Sequence, residues 1–300
     1  MRLGLCFIAS LALAIGLSTT ARAQSFDTQI LIDGLDQPTG ITVDPYGNLY
    51  YTTVPTPGVA GGDNQVVRYS LLSGRTRVIS TGEPEPVNLA NDFFGNVYWT
   101  CKTAGVILRS RRFGRGEPQL VLDGLSQPSG IASHPFPGFI AHTEVPSPGE
   151  FGADNEVSVA FQFFRRWFDF PVSDGEPEPV DVAMAFDGTL YWTCKTAGVI
   201  LKRSPAGEIE LVLDNLPAPS GIDVDSYGRI YWTEVPTPGV FGTDGGTNRV
   251  LRYDPSSGET VVISEGEPEP IDVTVTPSGG TVYWTCRTAG VIIAARESTE

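Results

Sequence analysis

A ten-residue phrase occurs three times in this chain and constrains its fold more than any other feature. Tyr-Trp-Thr-Cys-(Lys/Arg)-Thr-Ala-Gly-Val-Ile is found at 98–107, 191–200 and 283–292. Successive copies start 93 and then 92 residues apart. Such a constant period indicates a repeat architecture, in which each unit packs against its neighbours along the chain.

Each long repeat consists of two related halves. Gly-Glu-Pro-Glu-Pro precedes every copy of the phrase, at 82–86, 175–179 and 266–270. A second segment, (Gln/Ala)-Pro-(Thr/Ser)-Gly-Ile, lies further upstream, at 37–41, 127–131 and 218–222. Similar sequences follow both kinds of segment, such as Tyr-Gly-Asn-Leu-Tyr-Tyr-Thr and Phe-Gly-Asn-Val-Tyr-Trp-Thr. Six units of about 40 to 48 residues result.

The units have the pattern of short β-strands. Runs rich in β-branched and aromatic residues, such as 65–69 and 75–79, alternate with turn sequences such as Asp-Pro-Tyr-Gly and Ser-Gly. Four strands per unit at this period predict a β-propeller blade. The predicted fold class is therefore all-β, a six-bladed propeller of four-stranded antiparallel blades. Its three two-blade repeats cover about 37–124, 127–215 and 218–296.

The final unit lacks a fourth strand, and the N-terminal segment resembles the missing one. Gln29-Ile-Leu-Ile-Asp-Gly-Leu is similar to the segments that end the second and fourth units, at 119–125 and 210–216. We therefore expect the segment at 26–35 to pair with the last blade and cover its open edge. Residues 24–300 would then form one closed domain.

Composition limits the classes of partner. Residues 1–23 combine a basic start, an apolar stretch and Ala-Arg-Ala, which predicts a secretory signal cleaved near Ala23. Its removal takes away two arginines and no acid, so the net charge of −15 becomes −17. We expect a secreted or periplasmic protein without a transmembrane segment in the mature chain. Its acidic surface argues against nucleic acid as a partner.

Three cysteines remain after residue 23, at the same place in alternate blades: Cys101, Cys194 and Cys286. On the second strand from the axis, with strands about 4.8 Å apart, they would be separated by roughly 19 Å. A disulfide needs Cα atoms within about 7 Å. We therefore predict three buried free thiols that pack as small apolar groups.

The segment Pro-Ser-Gly-Ile-Asp-Val-Asp-Ser-Tyr-Gly-Arg-Ile-Tyr-Trp-Thr-Glu at 219–234 resembles NHL and SMP-30/gluconolactonase-like six-bladed propellers. Tyr-Trp-Thr is also similar to the YWTD propellers of lipoprotein-receptor ectodomains. The SMP-30 resemblance implies a divalent cation, with the family's metal-binding Glu near Glu85, Glu178 or Glu269. The family's Asn position is occupied by other residues in this chain: Thr39, Ser129 and Ser220. Lyase-like chemistry would require a histidine over the channel, whereas His142 replaces a repeat Trp, where we expect it to pack between blades.

One face of the predicted ring gathers oxygen donors near the axis. The loops that lead into inner strands carry the Glu-Pro-Glu-Pro segments, and three inner strands begin with an acid or amide. The candidate ligand or cation site comprises Glu85, Asn88, Glu178, Asp181, Glu269 and Asp272, of which Asn88, Asp181 and Asp272 are the candidate metal ligands. Such oxygens suit Ca²⁺ or another divalent cation. The alternative is that they only solvate turns and bond to local backbone.

The opposite face carries a basic, aromatic patch on two adjacent turns between third and fourth strands. Its residues are Arg111, Arg112, Arg115, Phe163, Phe164, Arg165, Arg166 and Trp167. Exposed aromatics grouped with arginine are typical of interface anchors. The alternative is that the aromatics fold back over the blade edge and the arginines neutralise nearby acids.

Two functional hypotheses follow. The first is an exported binding or scaffold module that contacts a protein or an anionic glycan through this patch. The alternative is a metal-dependent hydrolase or lyase, similar to SMP-30-like lactonases, that acts on a small molecule over the Glu-Pro-Glu-Pro face. Near-threefold repetition of that face favours the module, because catalytic acids and bases need different environments.

Overall fold

The computed structural model describes residues 24–59, 62–111, 113–149, 154–238 and 248–298. Every helix or strand assigned within these ranges is a β-strand, so the predicted all-β class is confirmed. Within the same ranges, no helix has the length and apolar character needed to cross a bilayer. The expected secretory signal at 1–23 lies outside the described residues.

The strands form six four-stranded antiparallel sheets, the blades of a propeller. Blade 1 comprises β2 Pro38–Val43, β3 Asn48–Thr53, β4 Gln65–Ser70 and β5 Thr76–Thr81. Blade 2 comprises β6 Pro86–Asn91, β7 Val97–Cys101, β8 Val106–Ser110 and β9 Gln119–Leu122. Blade 3 comprises β10 Pro128–Ser133, β11 Phe139–Glu144, β12 Glu156–Phe163 and β13 Arg166–Asp174.

The second half of the ring repeats this arrangement. Blade 4 comprises β14 Pro179–Met184, β15 Leu190–Cys194, β16 Val199–Arg203 and β17 Ile209–Leu213. Blade 5 comprises β18 Pro219–Val224, β19 Ile230–Glu234, β20 Arg249–Asp254 and β21 Glu259–Glu265. Blade 6 comprises β22 Pro270–Val275, β23 Val282–Cys286, β24 Val291–Glu297 and the N-terminal β1 Phe26–Ile32. The first strands of neighbouring blades lie side by side around the axis.

The N-terminal strand closes the ring as the sequence predicts. β1 pairs antiparallel with β24, in a register that runs from Phe26 opposite Glu297 to Ile30 opposite Ile293. The backbone N–H of Leu35 then donates to the carbonyl of Gly290 at 2.9 Å. Both ends of the chain are therefore held in one sheet, which leaves blade 6 with the same strand order as the others.

The Tyr-Trp-Thr segments join neighbouring blades. Tyr98 packs toward blade 3, whereas Trp99 packs toward Tyr50 and Val66 of blade 1, because successive strand residues point to opposite faces. The hydroxyl of Thr100 donates to the carbonyl of Ser129 in blade 3 at 2.7 Å. The repeated motif therefore supplies apolar packing on both faces of a blade and one hydrogen bond to the next blade.

The three cysteines are buried and free, which confirms that prediction. Their environment is more polar than expected, because each thiol donates to the first Glu of a Gly-Glu-Pro-Glu-Pro segment. Cys194 Sγ lies 3.3 Å from Glu176 Oε2, and Cys286 Sγ lies 3.3 Å from Glu267 Oε2. These glutamates are buried rather than solvating the turns. Burial, followed by the charge of Glu267, raises the pKa of the Cys286 thiol far above its ordinary value.

Candidate functional site at the propeller axis

Two cavities approach the axis from opposite faces of the ring, and three side chains lie between them. The cavity on the Glu-Pro-Glu-Pro face has a volume of about 1050 Å³, open solvent included, and the one on the opposite face about 910 Å³. Asn88, Asp181 and Asp272 line both cavities. The structure thus brings together the three candidate metal ligands predicted from alternate inner strands.

Glycine on the other three inner strands makes room for this axial trio. A Cβ added at Gly221 would lie 2.5 Å from Asp272 Cα and 2.6 Å from its Oδ1. Gly130 stands in the same relation to Asp181, and Gly40 is similarly close to Asn88 Cα. Glycine is therefore required where the neighbouring backbone and carboxyl approach, rather than for an unusual backbone angle.

Backbone N–H groups hold the two axial carboxyls in place. Asp181 Oδ2 accepts from Ile222 N at 2.9 Å, and Asp272 Oδ2 accepts from Ile41 N at 2.7 Å. Each Oδ1 accepts from the backbone N–H of the next residue at 2.8 Å. The bonds from Ile222 and Ile41 link blade 4 to blade 5 and blade 6 to blade 1.

Asn88 breaks the threefold pattern. Its Oδ1 accepts from Leu89 N at 2.5 Å, and its Nδ2 donates to Asp181 Oδ1 at 2.8 Å. A carboxylate at this position would face Asp181 with like charge, whereas the amide offers a donor. The amide therefore allows three polar groups to converge at the axis with only two acids.

The axial acids bind protons more tightly than ordinary aspartates. Burial raises the pKa of Asp181 from 3.8 to about 7. Burial, and then the charge of Asp181, raise the pKa of Asp272 well above 3.8. A third acid on the opposite side, Asp223, has its pKa raised by burial to about 6. The axis therefore favours neutral carboxyls, or a bound cation, near neutral pH.

The rim of the Glu-Pro-Glu-Pro cavity alternates acids and bases. Glu85, Glu178 and Glu269 have positive φ of 58°, 60° and 59°, which places all three in the same left-handed turn. Each carboxylate accepts a threonine hydroxyl, for example from Thr196 to Glu178 at 2.5 Å. The same cavity is lined by three bases: Lys102, Lys195 and Arg287. The rim glutamates are thus tied to threonine, and they do not hydrogen-bond the axial trio within the described residues.

The opposite cavity has an aromatic collar that sequence reasoning missed. Exposed aromatic residues occupy the turns between first and second strands in five blades: Tyr46, Phe93, Phe94, Phe136, Phe186 and Tyr227. Phe93 and Phe186 line the cavity directly. His134 lies in this collar, with its ring stacked on Phe136 at 5.6 Å. The recurrence of an aromatic residue just before Gly, Asp-Gly or Pro-Gly in these turns was the available signal.

The tip of the β12–β13 hairpin is the exposed part of the predicted docking patch. The side chains of Phe163 and Phe164 are 58% and 86% exposed. Phe164 and Arg165 have positive φ of 46° and 72°, and Arg166 is also exposed. The tip thus presents two aromatic rings and two guanidinium groups to solvent.

The structure differs from the prediction at Trp167. The Trp167 ring packs on Tyr98 of blade 2 at 6.2 Å and lies 5.8 Å from the guanidinium of Arg109. Alternation along β13 explains this, because Trp167 and Arg166 point to opposite faces of the strand. Arg111 and Arg115 are exposed in the neighbouring blade 2 turn. Arg112 lies outside the described residues.

Comparison with known proteins identifies the architecture. No protein-family model and no curated protein matches the sequence. A calcium-binding regucalcin from Agrobacterium tumefaciens is similar, at 15% identity over 92% of this chain and 96% of that one, with a TM-score of 0.69. The chain is a six-bladed β-propeller. A Xanthomonas campestris gluconolactonase is similar at 15% identity over 91% and 90%, with a TM-score of 0.67. A chain of a nidogen/laminin complex is similar at 16% identity over 75% and 79%, with a TM-score of 0.60. At these identities the likeness establishes the propeller fold alone.

Proposed function

We propose that this propeller is an exported binding module that docks a protein partner through the tip of the β12–β13 hairpin. The observation that carries the proposal is an exposed pair of phenylalanines on a hairpin turn whose backbone is strained. Phe164 and Arg165 occupy the two positions of positive φ. Primed hairpin turns normally have glycine or asparagine there, and a larger residue costs about 1 kcal/mol or more at each position.

A strained, exposed aromatic turn does not stabilise the blade. Folding gains little from Phe164, because most of its side chain remains in water. Glycine or asparagine at the tip would satisfy the same turn with less strain. Strain that the fold does not need is typical of positions whose side chains act on a partner.

The charge of the tip indicates an acidic partner surface. The chain has a net charge of −15, yet four of the described arginines lie on the hairpin and the neighbouring blade 2 turn. Within the described residues, no carboxylate lies within 4.0 Å of these guanidinium groups: Arg111, Arg115, Arg165 and Arg166. Phenylalanine adds apolar area without a hydrogen-bonding group, which suits an apolar protein pocket better than a hydroxyl-rich glycan. The partner class we propose is therefore a protein with an acidic rim around an apolar pocket.

The test compares three forms of the purified protein as bait against the envelope and culture fractions of the producing cells. Wild type should retain a partner that Phe163→Ser/Phe164→Ser loses, and the purified partner should then bind wild type directly. Leu72→Ser, at an equally exposed turn of blade 1, is the matched control and should bind as wild type. Equal retention by all three forms would refute the proposal. If only an anionic polysaccharide competed for binding to the tip, the partner would be a glycan rather than a protein.

A second function is favoured by the axial carboxyls. Within the described residues, no Lys or Arg nitrogen lies within 4.0 Å of Asp181 or Asp272, although both are almost fully buried. Asp181 Oδ1 accepts two hydrogen bonds, from Val182 N and Asn88 Nδ2, whereas the other three carboxyl oxygens each keep a lone pair beside the backbone N–H that they accept. Two carboxylates and one amide oxygen fit the donor preference of Ca²⁺. When bound there, the ion would supply charge to polarise a small substrate entering from the Glu-Pro-Glu-Pro cavity, as in a lactonase-like hydrolase or lyase.

Calcium binding separates the two functions. Under the second function, Ca²⁺ should bind the wild type near neutral pH, and Asp181→Asn/Asp272→Asn should abolish both that binding and turnover of lactone substrates. Under the docking function, the same double variant should keep its protein partner. If partner binding required Ca²⁺ and the axial acids, the tip and the axis would not be two independent sites.

A further inference from the structure

The wall between blades 2 and 3 contains a cluster of potential metal ligands away from the axis. His142, Glu144 and Asp169 each offer one ligand atom, and these three atoms lie within 4.8 Å of one another. His142 and Glu144 alternate along β11 and therefore point to the same face, and Asp169 lies on the outer strand β13. The backbone N–H of Ser126, from the segment that joins the two blades, donates to Glu144 Oε2.

The cluster exists because blade 3 departs from the repeat at two facing positions. Where blade 5 has Trp232 opposite Leu251, blade 3 has His142 opposite Ser158. His142 Nε2 then lies 3.1 Å from Asp169 Oδ1. His142 and Ser158 thus replace the Trp–Leu packing that blade 5 has at these positions, which is costly unless the polar groups are fully partnered.

Within the described residues, no Lys or Arg nitrogen lies within 4.0 Å of the carboxylates of Glu144, Glu156 or Asp169. In blade 5, Glu234 lies opposite Arg249, whose Nε donates to Glu234 Oε2 at 2.9 Å. In blade 3 the corresponding pair is Glu144 opposite Glu156, so two acids face each other across the strands. Like charges in directly opposed strand positions are destabilising, and a cation bound between them would offset that repulsion.

The imidazole of His142 presents its Nε2 atom to the cluster. Its side chain is fully buried, and its Nδ1 has no hydrogen-bond partner. Nε2 is the ring nitrogen that faces the Asp169 carboxylate, at 3.1 and 3.2 Å from its two oxygens, so Nε2 is the atom that would bind an ion held by both residues. A cation at Nε2 would take the place of the hydrogen bond that this nitrogen makes to Asp169.

We infer that His142, Glu144 and Asp169 bind one Zn²⁺ ion in the wall between blades 2 and 3. One imidazole nitrogen with two carboxylates suits zinc, whereas Ca²⁺ prefers oxygen ligands only. The Asp169 side chain is 27% exposed, so an ion reaches the cluster from the outer edge of the blade. Three protein ligands leave a fourth position of a tetrahedral site, which a water or Glu156 would fill.

The test measures zinc uptake by tag-free protein that has first been stripped with a chelator. Wild type should take up one equivalent of Zn²⁺ by isothermal titration and elemental analysis, with Zn²⁺ raising its melting temperature. Asp169→Asn and Glu144→Gln, which keep side-chain volume, should weaken binding by at least about tenfold, the lower end of the cost of removing even an outer partner of a metal ligand. Co²⁺ should give the visible spectrum of a tetrahedral site in wild type alone.

Two controls make the result decisive. Asp181→Asn/Asp272→Asn, which alters only the axis, should bind Zn²⁺ as wild type does. His142→Trp restores the Trp that blade 5 has at this position and should abolish Zn²⁺ binding. If this variant fails to fold, Asp169→Asn, at a partly exposed position, tests the same ligand set. Wild type that takes up no Zn²⁺, or variants that bind it equally well, would overturn the inference and leave an ion pair between His142 and Asp169 as the role of the cluster.

Discussion

The raised pKa values at the axis predict that this protein loses stability as the pH rises. The folded state keeps a proton on the Asp181–Asp272 pair at pH values where the unfolded chain has released it. Stability from this source is fully present below the unfolded pKa of 3.8 and is lost as the pH rises through about 7. The difference between a pKa of 3.8 and one of about 7, at 1.36 kcal/mol per pH unit, corresponds to about 4 kcal/mol. About 3 kcal/mol of this should be lost between pH 5 and pH 8.

The assay is urea unfolding followed by tryptophan fluorescence at pH 5 and pH 8, with calcium chelated. Asp181→Asn/Asp272→Asn removes both titrating groups and introduces the amide that blade 2 already has at Asn88. Between pH 5 and pH 8, the double variant should lose less than half as much free energy of unfolding as wild type does. Asp223 should contribute most of the loss that remains. Asp123→Asn, at an exposed acid, is the control and should behave as wild type. An unchanged pH dependence in the double variant would refute the reasoning.

Three further perturbations test the packing of the ring. Gly221→Ala should lower the free energy of unfolding by about 1–3 kcal/mol, because its Cβ would overlap the Asp272 backbone, whereas Gly280→Ala should have little effect. Glu267→Ala should lower the free energy of unfolding by about 2 kcal/mol, because it leaves buried donors from Trp284 and Cys286 without an acceptor. Glu265→Ala, at an exposed position, should change it very little. Deleting 24–35 should abolish cooperative melting by exposing the edge of β24, and a truncated chain that melts like the intact one would contradict the closure. Urea unfolding measures the first two effects, and calorimetry the third.

The fold was predictable because its determinants are repeated. Six blades and their closure could be predicted from three observations: the three copies of one phrase, the turn residues at regular intervals, and the similarity of 29–35 to 119–125. The convergence of Asn88, Asp181 and Asp272 was also predictable, because alternate inner strands begin with them. A constant period in the sequence predicts repeated units, and in a closed ring these units are related by rotation about the axis.

The features that sequence reasoning missed depend on side-chain contacts across blades. Glu83 and Glu85 are separated by one proline, yet the first is buried against a cysteine and the second accepts a threonine at the rim. The raised pKa of Asp181 depends on burial that no local pattern reveals. The cluster around His142 depends on Asp169, which lies two strands away across the blade.

The central functional claim is that the β12–β13 tip contacts a partner, and cross-linking from that tip tests it most directly. A photoactivatable phenylalanine analogue at position 164, in protein produced by its own cells, should give one discrete cross-linked complex. The same analogue at position 72 should give none, and Arg165→Ser/Arg166→Ser should weaken the complex formed from position 164. Cross-linking that is equal from both positions, or absent from 164 under conditions in which the protein is exported and folded, would contradict the docking account.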